Sequence, residues 1–229
     1  MVRRFIKFFL FYTQRPLLLL YLKNEKKFYH ENLRLVILPG IFHPGFFPGT
    51  LFFYSEIKKI NLKNKRVLDL GSGSGMLAIY SAQKGAATVA SDISWKSIVT
   101  IDKNARWNRV AISIIQSDMF VNINPQEFDY LFIDPPRYRK NPRTDGDYTW
   151  YCGEHLDYYS KLFSQMRNYM HTQSVAFMVL FQDPMTERIK ELARENKFSM
   201  NIHAIENDYP EKIYLYRISP GQINVMPNS

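Results

Sequence analysis

Val67–Gly75 reads VLDLGSGSG, a short apolar run that breaks into three glycines at alternate positions. Met76–Lys84 follows at helical spacing, so the stretch predicts a strand, a tight turn and a helix. Glycines in such a turn let a ligand approach the backbone where a β-carbon would displace it. A dinucleotide loop of the form G-x-G-x-x-G, counted from Gly71, needs its third glycine at position 76. That position is Met76, and Gly75 stands one residue early. The alternative to a ligand loop is a glycine turn that binds nothing.

Working outward from the loop, strand and helix patterns alternate. Ala87–Ser91, Ile112–Gln116, Phe128–Ile133 and Ser174–Phe181 read as strands. Helical patterns cover Trp95–Asn108, Asp157–Tyr169 and Met185–Asn196. Near-continuous apolar strands between amphipathic helices predict a doubly wound α/β fold, with a mainly parallel sheet of seven strands covered on both faces. Ser199–Ile205 and Lys212–Ile218 are separated by a short turn, so they pair as an antiparallel C-terminal hairpin. Upstream, Lys27–Leu38 reads as one or two strands, Pro39–Thr50 as a loop of turn formers and aromatics, and Leu51–Ile60 as a helix. The expected division is a small N-terminal appendage and lid loop over 1–50, a main domain over 51–220 and a tail over 221–229.

Three acidic residues close successive strands beside the glycine turn. Asp69 precedes Gly71 by two residues, where it suits the positively charged amino-acid end of S-adenosylmethionine, directly or through water. Asp92 ends the next strand about 20 residues after Gly71, the place from which a carboxylate accepts hydrogen bonds from a ribose diol. Its alternative, shared with Ser94, is a helix N-cap. Asp118 follows the third strand and can accept from an adenine amino group, with Met119 or Phe120 packing on the ring; the alternative is again a cap or turn. Ligands of open α/β sheets bind at that edge, so three acids there point together to the cofactor.

With Asp134-Pro135-Pro136 at the end of the fourth strand, the order of motifs resembles the class I, Rossmann-like methyltransferases, and within them the HemK-like, small-domain branch. The resemblance runs from about Val36 to Ile218. It implies S-adenosyl-L-methionine as cofactor and a lid segment in Pro39-Gly40, Phe42-His43-Pro44 and Thr50. In that branch the fourth strand ends Asn/Asp-Pro-Pro-Tyr/Phe. The acid or amide and the proline-loop carbonyl accept from a target amino group, and the aromatic stacks on its planar group. The resemblance thus gives Asp134, Pro135 and Tyr138 the acceptor side. Arg137 stands where the aromatic belongs, and Tyr138 comes one place late. The same DPPR occurs in uracil C5-methylases, which use a cysteine just after the fifth strand. Here that place reads Phe181-Gln182-Asp183-Pro184, and the lone cysteine is Cys152, read as a packing residue.

The expected activity is therefore methylation of a nitrogen in a macromolecule, an RNA base or a protein glutamine amide. A small-molecule acceptor and a non-catalytic RNA- or partner-binding module are the competing readings. The insert Arg137–Asp157 mixes Arg137, Arg139, Lys140 and Arg143 with Tyr148, Trp150 and Tyr151, which suits a phosphate backbone and a stacked base, or else a solvated loop with an aromatic anchor. His43 and His155 read as ordinary polar residues, and the sequence has no metal constellation.

Composition is ordinary for a globular chain of 229 residues, with 46% hydrophobic and 22% charged residues, although 15% are aromatic. One cysteine permits no internal disulfide, which fits a reducing, cytoplasmic setting. The net charge is +9, and residues 1–40 hold +6 of it, eight basic against two acidic residues. Such a terminus can meet RNA, an anionic membrane surface or an acidic partner, or simply form a docking helix. Met1–Leu22 is not expected to span a membrane, because Gln14-Arg15-Pro16 interrupts its apolar runs, and no small-residue cleavage site follows.

Overall fold

The computed structural model describes residues 23–208 and 211–221. Expectations for the basic segment up to Leu22 and for nearly all of the tail lie outside the described residues. An antiparallel hairpin comes first, β1 (Lys26–His30) and β2 (Leu33–Ile37). Helix α1 (Pro48–Ile57) follows, then β3 (Arg66–Leu70), α2 (Met76–Gln83), β4 (Ala87–Asp92), α3 (Trp95–Trp107) and β5 (Ser113–Gln116). The second half holds β6 (Phe128–Ile133), α4 (Asp157–Met166), β7 (Met170–Phe181), α5 (Met185–Glu195), β8 (Phe198–Asp208) and β9 (Glu211–Pro220).

The main sheet has seven strands in the order 5-4-3-6-7-9-8. Pairs 5-4, 4-3, 3-6 and 6-7 are parallel, whereas 7-9 and 9-8 are antiparallel. Alternate side chains of a strand face opposite sides. Accordingly Leu68, Leu70, Leu131, Ile133, Met178 and Leu180 pack toward α4 and α5, in one core with Leu162, Phe163 and Ile189. Val67, Phe132, Phe177 and Val179 pack toward α1 and the hairpin, with Phe53, Ile57, Leu33 and Leu35. The doubly wound, mainly parallel sheet with its antiparallel end is as expected.

Element ends shift modestly. Helix α1 starts at Pro48, whose ring suits a first helical position, instead of at Leu51. Residue 50 thus lies inside α1. Helix α4 stops at Met166 and tightens into a 3-10 turn over Arg167–Tyr169, so β7 begins at Met170.

The hairpin is fastened to the sheet by two asparagines one turn apart on α3. Asn104 accepts from the Val36 N–H at 2.7 Å and donates to the Val36 carbonyl at 2.9 Å. Asn108 does the same for Arg34, at 3.0 and 2.7 Å. The two amides stand in for a neighbouring strand along the outer edge of β2. Asn104 also donates to the carbonyl of Ser74, inside the glycine turn.

Candidate active site

Strands β5, β4, β3 and β6 lie side by side and parallel, so their carboxyl ends share one edge of the sheet. Chain order reverses between β3 and β6, the crevice where open α/β sheets bind ligands. A cavity of about 420 Å³ opens there. Asp118, Asp92, Asp69 and Asp134 follow or end those four neighbouring strands, and all four line it.

The glycine turn forms its floor. Gly71, Gly73 and Gly75 all have positive φ, at +76°, +55° and +82°. A β-carbon on Gly71 or Gly73 would meet nothing within 4 Å, so bare backbone faces open space at both. Gly75 differs: its β-carbon would touch Ile101 and Ile79 at 3.3–3.4 Å, and it does not line the cavity. It lets α2 pack closely on α3.

Asp69 is 3% exposed; its Oδ2 accepts from Ser72 Oγ at 2.6 Å and from the Ala78 N–H at 3.0 Å. Burial pushes its carboxyl up to about 7, with Asp134 and Asp92 adding repulsion against the pull of those two hydrogen bonds. Asp92 accepts from the Gly73 N–H at 2.9 Å through Oδ2 and from the Ser94 N–H at 2.8 Å through Oδ1. It closes the glycine turn and holds the Ser94 N–H just before α3, and burial raises its pKa too. Asp118 is exposed and pairs with Lys161 of α4. Met119, at φ +56°, lines the cavity, while Phe120 turns into the core and stacks on Tyr169 at 4.5 Å.

On the acceptor side, Asp134 Oδ2 accepts from Thr50 Oγ1 at 2.7 Å. That bond joins α1 to the end of β6. Burial pushes Asp134 up to about 6, and the Thr50 hydroxyl pulls the other way. Pro135 and Tyr138 also line the cavity, and Tyr138 is 43% exposed. Arg137, which stands at the position of the missing aromatic, also lines the cavity. It lies over the Phe181 ring, 4.2 Å from the centroid, and one of its nitrogens bridges both oxygens of Glu211 at 2.6 and 2.7 Å. Aromatic surface comes instead from Phe42, Phe47 and Trp150. The first two stack at 3.8 Å, and Trp150 of the insert sits 5.4–5.5 Å from each.

The insert is folded against itself. Tyr138 bridges to Tyr151, Arg139 donates to the Glu154 carbonyl, and Lys140 lies 4.9 Å from the centroid of the Tyr151 ring. Cys152 is 1% exposed at the cavity wall, its Sγ donates to the Tyr138 carbonyl at 3.3 Å, and burial pushes its thiol up to about 11, which disfavours the thiolate. His43 accepts from the Gly45 N–H and caps the 3-10 turn at Pro44–Phe46.

The motif reading missed Lys161, which reaches Asp118 across 43 residues, and Tyr158, which lines the cavity beside Asp134 and Asp92. Only the acidic start of α4 hinted that its first turn matters. Taken together, the cavity offers bare glycine backbone and an excess of carboxylates, with Asp69 buried and Asp92 and Asp134 half-buried. That set fits a ligand bringing a positive charge and hydroxyl or amine donors, as S-adenosylmethionine does.

Residues 32–174 match the family model of the methyltransferase small domain. The chain is 31% identical over 107 residues to a putative protein N5-glutamine methyltransferase of Methanocaldococcus jannaschii, covering 46% of this chain and 52% of that one. It is 33% identical over 123 residues to a tRNA (uracil(54)-C(5))-methyltransferase of Pyrococcus horikoshii, covering 52% and 29%. Thus it spans about half the length of the first and under a third of the second. A ribosomal protein L11 methylase from Lactobacillus delbrueckii subsp. bulgaricus superposes with a TM-score of 0.61 at 20% identity, over 81% of this chain and 84% of that one. Among the described residues no helix is long and apolar enough to cross a membrane.

Proposed function

Because this chain belongs to the methyltransferase small domain family, we propose that it is an S-adenosylmethionine-dependent methyltransferase acting on a nitrogen of a macromolecule, an RNA base or a protein glutamine amide. The observation that carries this is the row of four carboxylates along the ends of β5, β4, β3 and β6, with the glycine turn between them. When bound, the cofactor supplies a methyl group on a positively charged sulfur. Gly71 and Gly73 leave room for it, and Asp69 carries the charge that answers its cationic end. Asp92 and Asp118 accept from its ribose and adenine, Met119 covers the ring, and Thr50 with Gly75 holds the surrounding walls in place.

Asp134 has one oxygen on Thr50 and turns the acceptor's N–H, so that the nitrogen lone pair faces the methyl. With a pKa near 6 it is mostly ionised at neutral pH and can take a proton. Pro135 adds its carbonyl, and Tyr138 stands at the mouth. Two features speak against attack by a cysteine on a pyrimidine. The residues after β7 are Phe181-Gln182-Asp183-Pro184, and Cys152 is buried and protonated. The partners we propose are accordingly RNA or a protein, met in the reducing cytoplasmic setting that a single cysteine suits.

Titration calorimetry with S-adenosylmethionine tests the reading. The wild-type protein binds, and Asp92→Ala weakens binding about 10- to 100-fold by removing an acceptor and loosening the glycine turn. Gly73→Arg abolishes it. A wild-type protein that binds none, or variants that bind equally well, would sink the proposal.

A further inference from the structure

Helix α4 opens with two tyrosines that face opposite ways. Tyr159 is fully buried in the core and donates to the Pro136 carbonyl at 3.3 Å. Tyr158 lines the cavity instead. Among the described residues no group makes a hydrogen bond with its hydroxyl. Burial, followed by the charges of Asp134 and Asp92, raises its pKa, so the phenol stays protonated and can donate. Tyr158 is half-buried, so its hydroxyl stands in the open cavity with no protein partner among the described residues and is free to meet a ligand there.

The backbone launches this helix from an uncommon geometry. Leu156, just before the first turn, has φ +62°, and Gly153 has φ +85°. A β-carbon on Gly153 would collide with the Asp157 carboxylate, so only glycine fits. Left-handed non-glycine residues cost energy and gather at functional sites. Here the strain fixes which residue of the first turn meets the cavity. The proline loop is asymmetric as well. Tyr159 occupies the Pro136 carbonyl, whereas among the described residues no hydrogen bond reaches that of Pro135. The acceptor end of the cavity therefore offers two acceptors, Asp134 and the Pro135 carbonyl, and one donor.

We infer that Tyr158 is a further catalytic residue. Its O–H donates to the heteroatom across the carbon that bears the methylated amino group, so the site reads amides and amidine-like ring amines, and not simple amines. This rests on the methyltransferase reading above. In the transfer, an N–H proton passes to the Asp134 carboxylate and a new bond forms between nitrogen and the methyl carbon. The C–S bond breaks, and its electron pair stays on sulfur. As the N–H proton leaves, negative charge spreads over the N–C–O or N–C–N unit. The Tyr158 O–H meets that charge at the far heteroatom, a pre-set donor aimed where charge develops.

Tyr158→Phe tests this by three readings: melting temperature, calorimetric affinity for S-adenosylmethionine, and labelled methyl transfer. Transfer is measured separately to bulk RNA and to bulk protein from cells lacking the gene. The variant should melt no lower than wild type and bind the cofactor within about 2-fold, while kcat falls about 100-fold on whichever acceptor pool is active. Label should appear on nucleobase nitrogens in the RNA arm or on side-chain amides in the protein arm. Near-wild-type turnover would overturn the inference, as would a lowered melting temperature, an equal loss of cofactor affinity, or label on lysine amines. A wild-type protein that binds no cofactor fails the earlier proposal, which separates the two.

Discussion

Asp134 sits in a wall from which water is largely withdrawn, and its pKa of about 6 lies above the ordinary value of 3.8. The folded state therefore holds the proton more tightly than the unfolded chain does. Stability is favoured below pH 4 and lost as pH rises from 4 through 6, the opposite of a salt-bridged carboxylate. Asp134→Asn keeps an oxygen for Thr50 and removes the ionisation. It should gain about 1–3 kcal/mol at pH 7.5 and almost nothing at pH 4, measured by urea denaturation at both. An unchanged midpoint at pH 7.5 would contradict the burial argument. Asp69, Asp92, Asp118 and Asp134 were legible in the sequence because each lies at or just beyond the carboxyl end of a strand that a short-range pattern locates. The Thr50–Asp134 bond was not, since it joins residues 84 apart. Nor was the fate of Arg137. Its partner Glu211 is 74 residues away, and only the finished sheet brings β9 beside the end of β7.

Helix α3 links the N-terminal hairpin to the glycine turn. Asn104 is fully buried and holds both Val36 of β2 and the Ser74 carbonyl of the glycine turn. Asn108, only half-buried, holds Arg34 and the preceding turn of its own helix. Asn104→Ala should cost about 2–4 kcal/mol, because it strands buried backbone groups, and it should weaken S-adenosylmethionine binding several-fold. Asn108→Ala should cost about 1 kcal/mol and leave binding intact. Thermal melts and calorimetry on the pair check this; equal effects on binding would mean that the glycine turn does not depend on α3. Hydrophobic spacing revealed α3 as an amphipathic helix, but it gave no sign that two asparagines one turn apart would act as a strand edge. Spacing shows which face of a helix is polar, and only tertiary structure shows what meets that face.

The whole molecule carries +9, yet its binding edge is acidic. The basic excess lies largely in the N-terminal 40 residues, while Asp69, Asp92 and Asp134 crowd one cavity and repel one another. A cationic cofactor relieves that repulsion best when Asp69 is ionised. With Asp69 near 7, affinity for S-adenosylmethionine should rise as pH goes from 6 to 8 and fall up to about 10-fold per unit below 6. Calorimetry across that range reads it, with proton release near pH 7 as a second sign; a flat profile would exclude Asp69 as the charge partner.

The packing of Phe42 and Phe47 against Trp150 gives the molecule an optical handle. Of its three tryptophans, Trp95 is 64% exposed to solvent and Trp107 rests on Tyr29 beside the hairpin. Trp150 alone joins the Phe42–Phe47 loop to the insert at the cavity wall. Whatever binds in that cavity alters the surroundings of one indole, so binding can be timed by fluorescence in a stopped-flow instrument without any added label.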